Sequence, residues 1–144
     1  MLVQTRRDHA YLVQKYDLAG TLLATTPLPN LIHSSDSVGC YFFDGSNFRL
    51  GIDMPNSRLI TLDDRWNPIA VHRVPHRIRA GMIAHRRYWL CDGHDIYEYT
   101  RDMSLVSKEP YRYPGGSCAG LAFDGITVWT IDLVQGRLLQ HLLK

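Results

Sequence analysis

The sequence lacks any apolar run long enough to cross a bilayer, because Asp, Arg or Gly interrupts each hydrophobic stretch well before the roughly 20 residues that a membrane helix needs. It also lacks a basic start followed by an apolar core, so the first residues do not predict a signal peptide. We therefore expect a cytoplasmic protein without a membrane partner.

Cysteine is scarce, and charge of neither sign prevails. The three cysteines, Cys40, Cys91 and Cys118, lie in apolar strand-like runs, which suits buried reduced thiols better than a disulfide framework. The net charge of +2 gives no reason to expect nucleic acid as a partner. There is no nucleophile elbow, Gly-rich phosphate loop or Cys-x-x-Cys motif, so no motif specifies one chemistry.

A helical apolar period of sufficient length is absent as well, whereas a short unit recurs along the chain. Each copy begins with a Gly-containing alternating run that predicts a strand, at Val38–Gly45, Ala80–His85 and Cys118–Gly125. In the first and last copies this run ends in an Asp-Gly pair, which predicts a tight hairpin turn. The middle copy has Arg86 and Arg87 there, so its turn must differ.

Three further strands are predicted in each unit. The second strand ends on an aspartate in every copy, and the third has apolar residues at alternate positions. The fourth follows a turn, and Tyr16–Pro29 near the N-terminus aligns without gaps on Leu62–Pro75 in this part of the unit. A four-stranded unit of about 40 residues therefore occurs about three and a half times.

The last copy, Gly120–Asp132 followed by Gly136–His141, resembles the blade repeat of the six- and seven-bladed β-propellers that include NHL-type, YVTN-type and lactonase-like proteins. The resemblance covers nearly the whole chain. It implies an all-β fold, an array of four-stranded antiparallel blades, rather than one activity. The predicted single repeat domain, 1–144, divides into a partial blade at 1–37, blades at 38–79 and 80–117, and a partial blade at 118–144.

About three and a half blades fall short of a closed propeller, which typically has four to eight, and an open array exposes strand edges. We predict that two chains form a homodimer that closes one ring of about seven blades. In that ring, C-terminal strands of one chain complete a blade begun by N-terminal strands of the other. A fragment of a longer chain, or another all-β fold with similar hairpins, is the alternative.

Aspartates that recur at the end of the second strand are candidates for a metal site. Carboxylates that converge on one face could hold a cation such as calcium. The alternative is that each carboxylate caps a turn by accepting backbone N–H bonds, which explains the repetition without a cofactor. We expect no cofactor, with a divalent cation as the alternative; the residues concerned are Asp53, Asp92 and Asp132.

A segment rich in arginine and histidine, Val71–Arg87, contains no acidic residue. Guanidinium groups pair bidentately with carboxylates and phosphates, so the segment predicts binding of an anionic small molecule or an acidic protein surface. A solvated face balanced by acidic side chains elsewhere is the alternative. The candidate binding residues are Arg73, His76, Arg77, His85, Arg86 and Arg87.

The function that these patterns favour is a non-enzymatic propeller-type scaffold whose loops bind a ligand or partner, because loops on a rigid scaffold commonly carry function. The alternative is a small metal-dependent hydrolase or lyase, which the resemblance to lactonase-like propellers implies.

Overall fold

The computed structural model describes residues 2–7, 10–28, 36–111 and 116–142. Within these ranges all regular structure is β, and no helix is long and apolar enough to span a membrane. The strands form four antiparallel sheets that follow one another along the chain. The prediction of an all-β array of antiparallel sheets is therefore confirmed; Pro29, at the end of one aligned segment, lies outside the described residues.

In each sheet the strands pair in chain order, so every connection within a sheet is a hairpin. The first sheet contains β1 Leu2–Arg7, β2 Ala10–Tyr16 and β3 Leu22–Pro27. The second sheet contains β4 Ser37–Phe43, β5 Phe48–Met54, β6 Arg58–Leu62 and β7 Pro68–Arg73. The third sheet contains β8 Ala80–Ala84, β9 Arg87–Cys91, β10 Asp95–Tyr99 and β11 Leu105–Pro110. The fourth sheet contains β12 Cys118–Phe123, β13 Thr127–Asp132 and β14 Arg137–Leu142.

The predicted Asp-Gly hairpin turns are present in the second and fourth sheets. Asp44 and Asp124 each accept hydrogen bonds from the backbone N–H groups two and three residues further on, at 2.7 to 3.0 Å. The following glycines have φ of +94° and +101°, which glycine adopts without steric cost. The third sheet turns on His85 and Arg86 alone, both at positive φ, so its turn differs as expected.

The core consists of apolar layers between neighbouring sheets. The layer between the second and third sheets is centred on side chains that are 0% exposed, which are Leu59, Ile78, Tyr88 and Leu90. The layer between the first and second sheets contains Val13, Leu50, Ile52 and Ile60. The layers between the third and fourth sheets contain Ala80, Met82, Cys91, Cys118 and Val128. Stacking of successive sheets therefore supplies most of the buried apolar area.

The first strands of three sheets lie side by side, because β8 contacts both β4 and β12. Glycine recurs in them, and at Gly39 a Cβ atom would lie 1.8 Å from the carbonyl oxygen of Ile78. A groove of about 360 Å³ runs along these three strands. The last strands, β7 and β11, are largely exposed. The sheets therefore radiate from a common centre, as propeller blades do.

Candidate functional site

A surface cavity of about 470 Å³ lies where the second sheet meets the third. Its volume falls within the range of small-molecule sites. One wall is the β5–β6 loop, and the other is the connection from β7 to β8. We call it the junction cavity; its lining residues are Met54, Pro55, Asn56, Ser57, Arg73, Val74, Pro75, His76 and Arg77.

Arg77 is held in place by Asp53. Its Nε donates to Oδ1 at 3.0 Å and its Nη2 to Oδ2 at 2.6 Å, a bidentate pair. The backbone N–H of Ile78 also donates to Oδ1, at 3.2 Å. The hydrogen bond to Asp53 and the charge of its carboxylate raise the pKa of Arg77. Together these contacts fasten the β7–β8 connection to the end of β5.

His76 is positioned by two aromatic residues. Its ring stacks on Tyr97 with centroids 3.5 Å apart and planes at 6°. Nδ1 lies 2.7 Å from the carbonyl oxygen of Arg77, which can only accept, so Nδ1 carries the proton. Nε2 therefore accepts from the hydroxyl of Tyr99, also at 2.7 Å. Burial lowers the pKa of His76, so the ring contributes little positive charge near neutral pH.

Arg73 is exposed at the end of β7 and lines the junction cavity. It is paired in the strand register with Arg58, whose Nη2 contacts Oδ2 of Asp36 at 2.6 Å. No carboxylate in the described part of the chain pairs with Arg73. With respect to the described residues the guanidinium of Arg73 is therefore uncompensated, which favours an anionic ligand in the cavity.

The rest of the arginine-rich segment lies elsewhere. His85 and Arg86 form the turn at the far end of β8, a strand of 5 residues that is about 16 Å long. The ring of His85 lies 5.1 Å from that of Phe123. Arg87 pairs with Glu98 at 3.3 Å. The structure thus brings three of the six predicted binding residues together at the cavity and places the other three at the opposite end of the sheet.

The three candidate metal aspartates do not hold equivalent positions. Asp132 is the last paired residue of β13, opposite Arg137, whereas Ile52 holds this position in the second sheet, opposite Arg58. Asp53 lies one residue further along, since its loop is one residue longer. Because side chains alternate along a strand, Asp53 faces the third sheet and Ile52 faces the first.

Asp92 and Asp132 cap the loops that follow them. Each accepts hydrogen bonds from the N–H groups two and three residues on, at 2.8 to 3.1 Å. Burial opposes ionisation of both carboxyls, but these bonds outweigh it and lower their pKa. Among the described residues, no group of three or more His, Cys, Asp or Glu is placed to hold a metal ion. Among the residues that the structure describes, Oδ2 of Asp132 nevertheless has no hydrogen-bond partner although it is buried.

Sequence patterns do not single out the β5–β6 loop, which forms half of the junction cavity. Met54, Asn56 and Ser57 belong to no charged or aromatic motif. The loop exceeds its counterpart after Asp132 by one residue. Only the strand register shows this difference, because an alignment on the aspartates hides it.

No protein family and no curated protein matches the chain. Solved structures do match. A glutaminyl cyclase from Myxococcus xanthus has a TM-score of 0.68 and 12% identity, over 88% of this chain and 55% of its own. The Pan2 WD40 domain of Neurospora crassa has a TM-score of 0.55 and 10% identity, over 99% and 49%. The computationally designed Ika4 protein has a TM-score of 0.52 and 13% identity, over 100% and 92%.

WD40 domains are β-propellers. The chain has a propeller-like fold. It spans about half the length of the two natural structures, at 55% and 49%. At identities of 10 to 13% the likeness shows the fold alone, and it does not distinguish NHL-type, YVTN-type or lactonase-like propellers from others.

Proposed function

We propose that the chain is a non-enzymatic binding module of the propeller type, and that its junction cavity holds an anionic group of a ligand or partner. The observation that carries the proposal is the exposed guanidinium of Arg73, which lines the cavity and has no ion-pair partner among the described residues. A guanidinium without a carboxylate is available for a carboxylate or phosphate of the ligand.

The neighbours of Arg73 support this chemistry. Asp53 fixes Arg77 through its Nε and Nη2 groups, and no described carboxylate contacts Nη1. Asn56 adds polar groups, while Pro55 adds an apolar surface. A few polar groups in a mostly preformed cleft are typical of sites that orient a small ligand.

The proposal predicts that inorganic phosphate raises the melting temperature of the protein in a saturable manner. A ligand at 100 times its dissociation constant stabilises the folded state by about 2.7 kcal/mol. Arg73→Glu should remove this effect, because a carboxylate at the rim repels the anion. Thermal-shift titrations with sodium phosphate, matched in ionic strength with sodium chloride, measure it.

Arg86→Glu is the matched control, because it makes the same charge change on an exposed arginine at the opposite end of β8. It should leave the phosphate effect intact. Equal losses in both variants, or no saturable effect in the unsubstituted protein, would contradict the site. A hexaglutamate peptide is titrated in parallel to distinguish an acidic partner from a small anion. Tighter binding of the peptide than of phosphate would indicate an acidic partner, because only a larger ligand also contacts the surface around the cavity.

The metal-dependent hydrolase or lyase is the second candidate, and one observation favours it. Oδ2 of Asp132 is buried without a hydrogen-bond partner in the described residues, and a cation would satisfy it. In that case calcium should stabilise the protein saturably, and Asp132→Asn should abolish the effect. Asp64→Asn, at an exposed position, is the control. Absence of a saturable effect of calcium, zinc and manganese alike would eliminate this candidate.

The redox state of the three cysteines is relevant to the cellular compartment in which the protein acts. Cys40, Cys91 and Cys118 are free thiols. Burial raises the pKa of Cys40 to about 12, so its thiol stays protonated and unreactive. Free thiols accord with a reducing compartment, and we propose that the module acts in the cytoplasm.

A further inference from the structure

The fourth sheet has an apolar face that points away from the third sheet. Its counterparts in the second and third sheets are covered by the next sheet. The strand register identifies three matching cross-strand pairs, which are Gly51 with Leu59, Cys91 with Ile96, and Ile131 with Leu138. Leu59 and Cys91 are 0% exposed, whereas Ile131 and Leu138 are 47% and 64% exposed.

Two further residues extend this face. Trp129 lies two positions before Ile131 on β13 and is paired in the register with Ala122 of β12. Its indole N–H donates to Oδ2 of Asp124 at 2.8 Å, which fixes the ring on the sheet. We call Ala122, Trp129, Ile131 and Leu138 the open face. A contiguous exposed apolar surface of this kind is typical of an interface.

The first sheet supplies a matching surface at the other end of the array. Val13 of β2 is buried against the second sheet. Because side chains alternate along a strand, Leu12 and Gln14 project from the opposite side of the first sheet, where both are partly exposed. We call this side of the first sheet the free face. In the second and third sheets the corresponding face packs against the preceding sheet.

We propose that the open face of one chain packs against the free face of the first sheet of a second copy, and that two such contacts close a ring. The number of copies follows from size. The chain spans 55% and 49% of the natural propeller-like structures, so it supplies about half a ring. One copy has four sheets but leaves Ile131 and Leu138 exposed, two copies bring eight sheets, within the usual four to eight blades, and three would bring twelve. Head-to-tail contacts of this kind close when the rotation per copy permits it.

This ring differs from the seven-bladed one expected from the sequence. The first and fourth sheets have three strands each, so they cannot merge into one four-stranded blade. Each remains a separate blade, and the join lies between sheet faces rather than between strand edges. The proposal is independent of the junction cavity, which lies between the second and third sheets.

Light scattering coupled to size exclusion tests the ring. The unsubstituted chain should have twice its mass of 16.5 kDa. Ile131→Lys should yield a monomer with an unchanged far-ultraviolet circular dichroism spectrum, because Ile131 is partly exposed within one chain. Ile69→Lys, on β7, has a comparable exposure of 57% but lies outside the open face and should remain a dimer.

A mixing experiment identifies the partner surface. Leu12→Lys should also yield a monomer; if that variant fails to fold, Gln14→Lys replaces it. Mixing it with Ile131→Lys should restore dimers, since one of the two contacts in the mixed ring is then unsubstituted on both sides. A symmetric contact between two open faces would instead leave Leu12→Lys dimeric.

Several results would overturn the proposal. These are a monomeric unsubstituted chain, a dimer that Ile131→Lys leaves intact, and variants that stay monomeric when mixed. The first of them would favour the alternative in which further chain, rather than a second copy, covers the open face.

Discussion

Replacement of Asp44 by alanine is expected to destabilise the protein by about 3 to 5 kcal/mol, the usual cost of removing one partner of a buried ion pair. The Asp44 side chain is 0% exposed, and its Oδ2 accepts from Nε of Arg49 at 2.6 Å and from the hydroxyl of Tyr88 at 2.8 Å. Nη1 of Arg101 lies 3.4 Å away. Alanine leaves these donors without their acceptor between the second and third sheets.

The same carboxylate should make stability depend on pH. Burial opposes ionisation of Asp44, but hydrogen bonds from the N–H of Asn47, from Arg49 and from Tyr88 outweigh it and lower its pKa from 3.8 to about 2. A lowered pKa contributes stability that is complete above about pH 5 and disappears as the pH falls toward 2. Urea unfolding at about pH 7 and about pH 3 measures both effects.

Comparison with the alanine variant separates the contribution of Asp44 to the pH dependence of stability from the contributions of the other carboxylates. The free energy of unfolding should fall less between the two pH values in Asp44→Ala than in the unsubstituted protein. Asp64→Ala, at an exposed position, should resemble the unsubstituted protein in both respects. A small stability change in Asp44→Ala, or an unaltered pH dependence, would show that the buried network contributes little.

Gly39→Ala is expected to destabilise the protein by about 3 kcal/mol or more, the upper range for overpacking of a dense interior. A Cβ at this position would lie 1.8 Å from the carbonyl oxygen of Ile78 and 2.8 Å from its carbonyl carbon. Both are backbone atoms, so β4 or the β7–β8 connection must move. Urea unfolding monitored by circular dichroism gives the change.

Gly120→Ala is the matched control in the equivalent innermost strand of the fourth sheet. There the new Cβ would meet Cδ1, Cγ1 and Cβ of Ile131 at 2.9, 3.1 and 3.2 Å, which all belong to one side chain rather than to backbone. Its cost should therefore be clearly smaller than that of Gly39→Ala. Equal costs would mean that the close approach of β4 to the β7–β8 connection does not constrain the fold.

Most of the fold features that could be predicted from the sequence come from local patterns. The Asp-Gly pairs at Asp44 and Asp124 specify their hairpins, because the carboxylate caps the turn and glycine accepts positive φ. Alternating apolar residues specify strands because one face of each is buried. Both kinds of signal act within about ten residues, which is why a single sequence suffices for them.

The candidate site depends on contacts that no local pattern encodes. Arg77 meets Asp53 across 24 residues of chain, and His76 meets Tyr99 across 23. The arginine-rich segment is continuous in sequence and suggests one surface patch. Strand β8 lies within it, however, so Arg86 is at the other end of the sheet from the junction cavity. Likewise, Asp53 aligns with the other aspartates by sequence, although the longer loop places it one residue out of register.

The most direct test of the proposed binding site is a nuclear magnetic resonance titration of the ¹⁵N-labelled chain with inorganic phosphate. Saturable shifts should be confined to the amides of the two walls of the junction cavity, which are those of Met54, Asn56, Ser57, Arg73, Val74, His76 and Arg77. Shifts centred on residues 85–87, or weak shifts spread over every exposed arginine, would contradict a site at the junction of the second and third sheets.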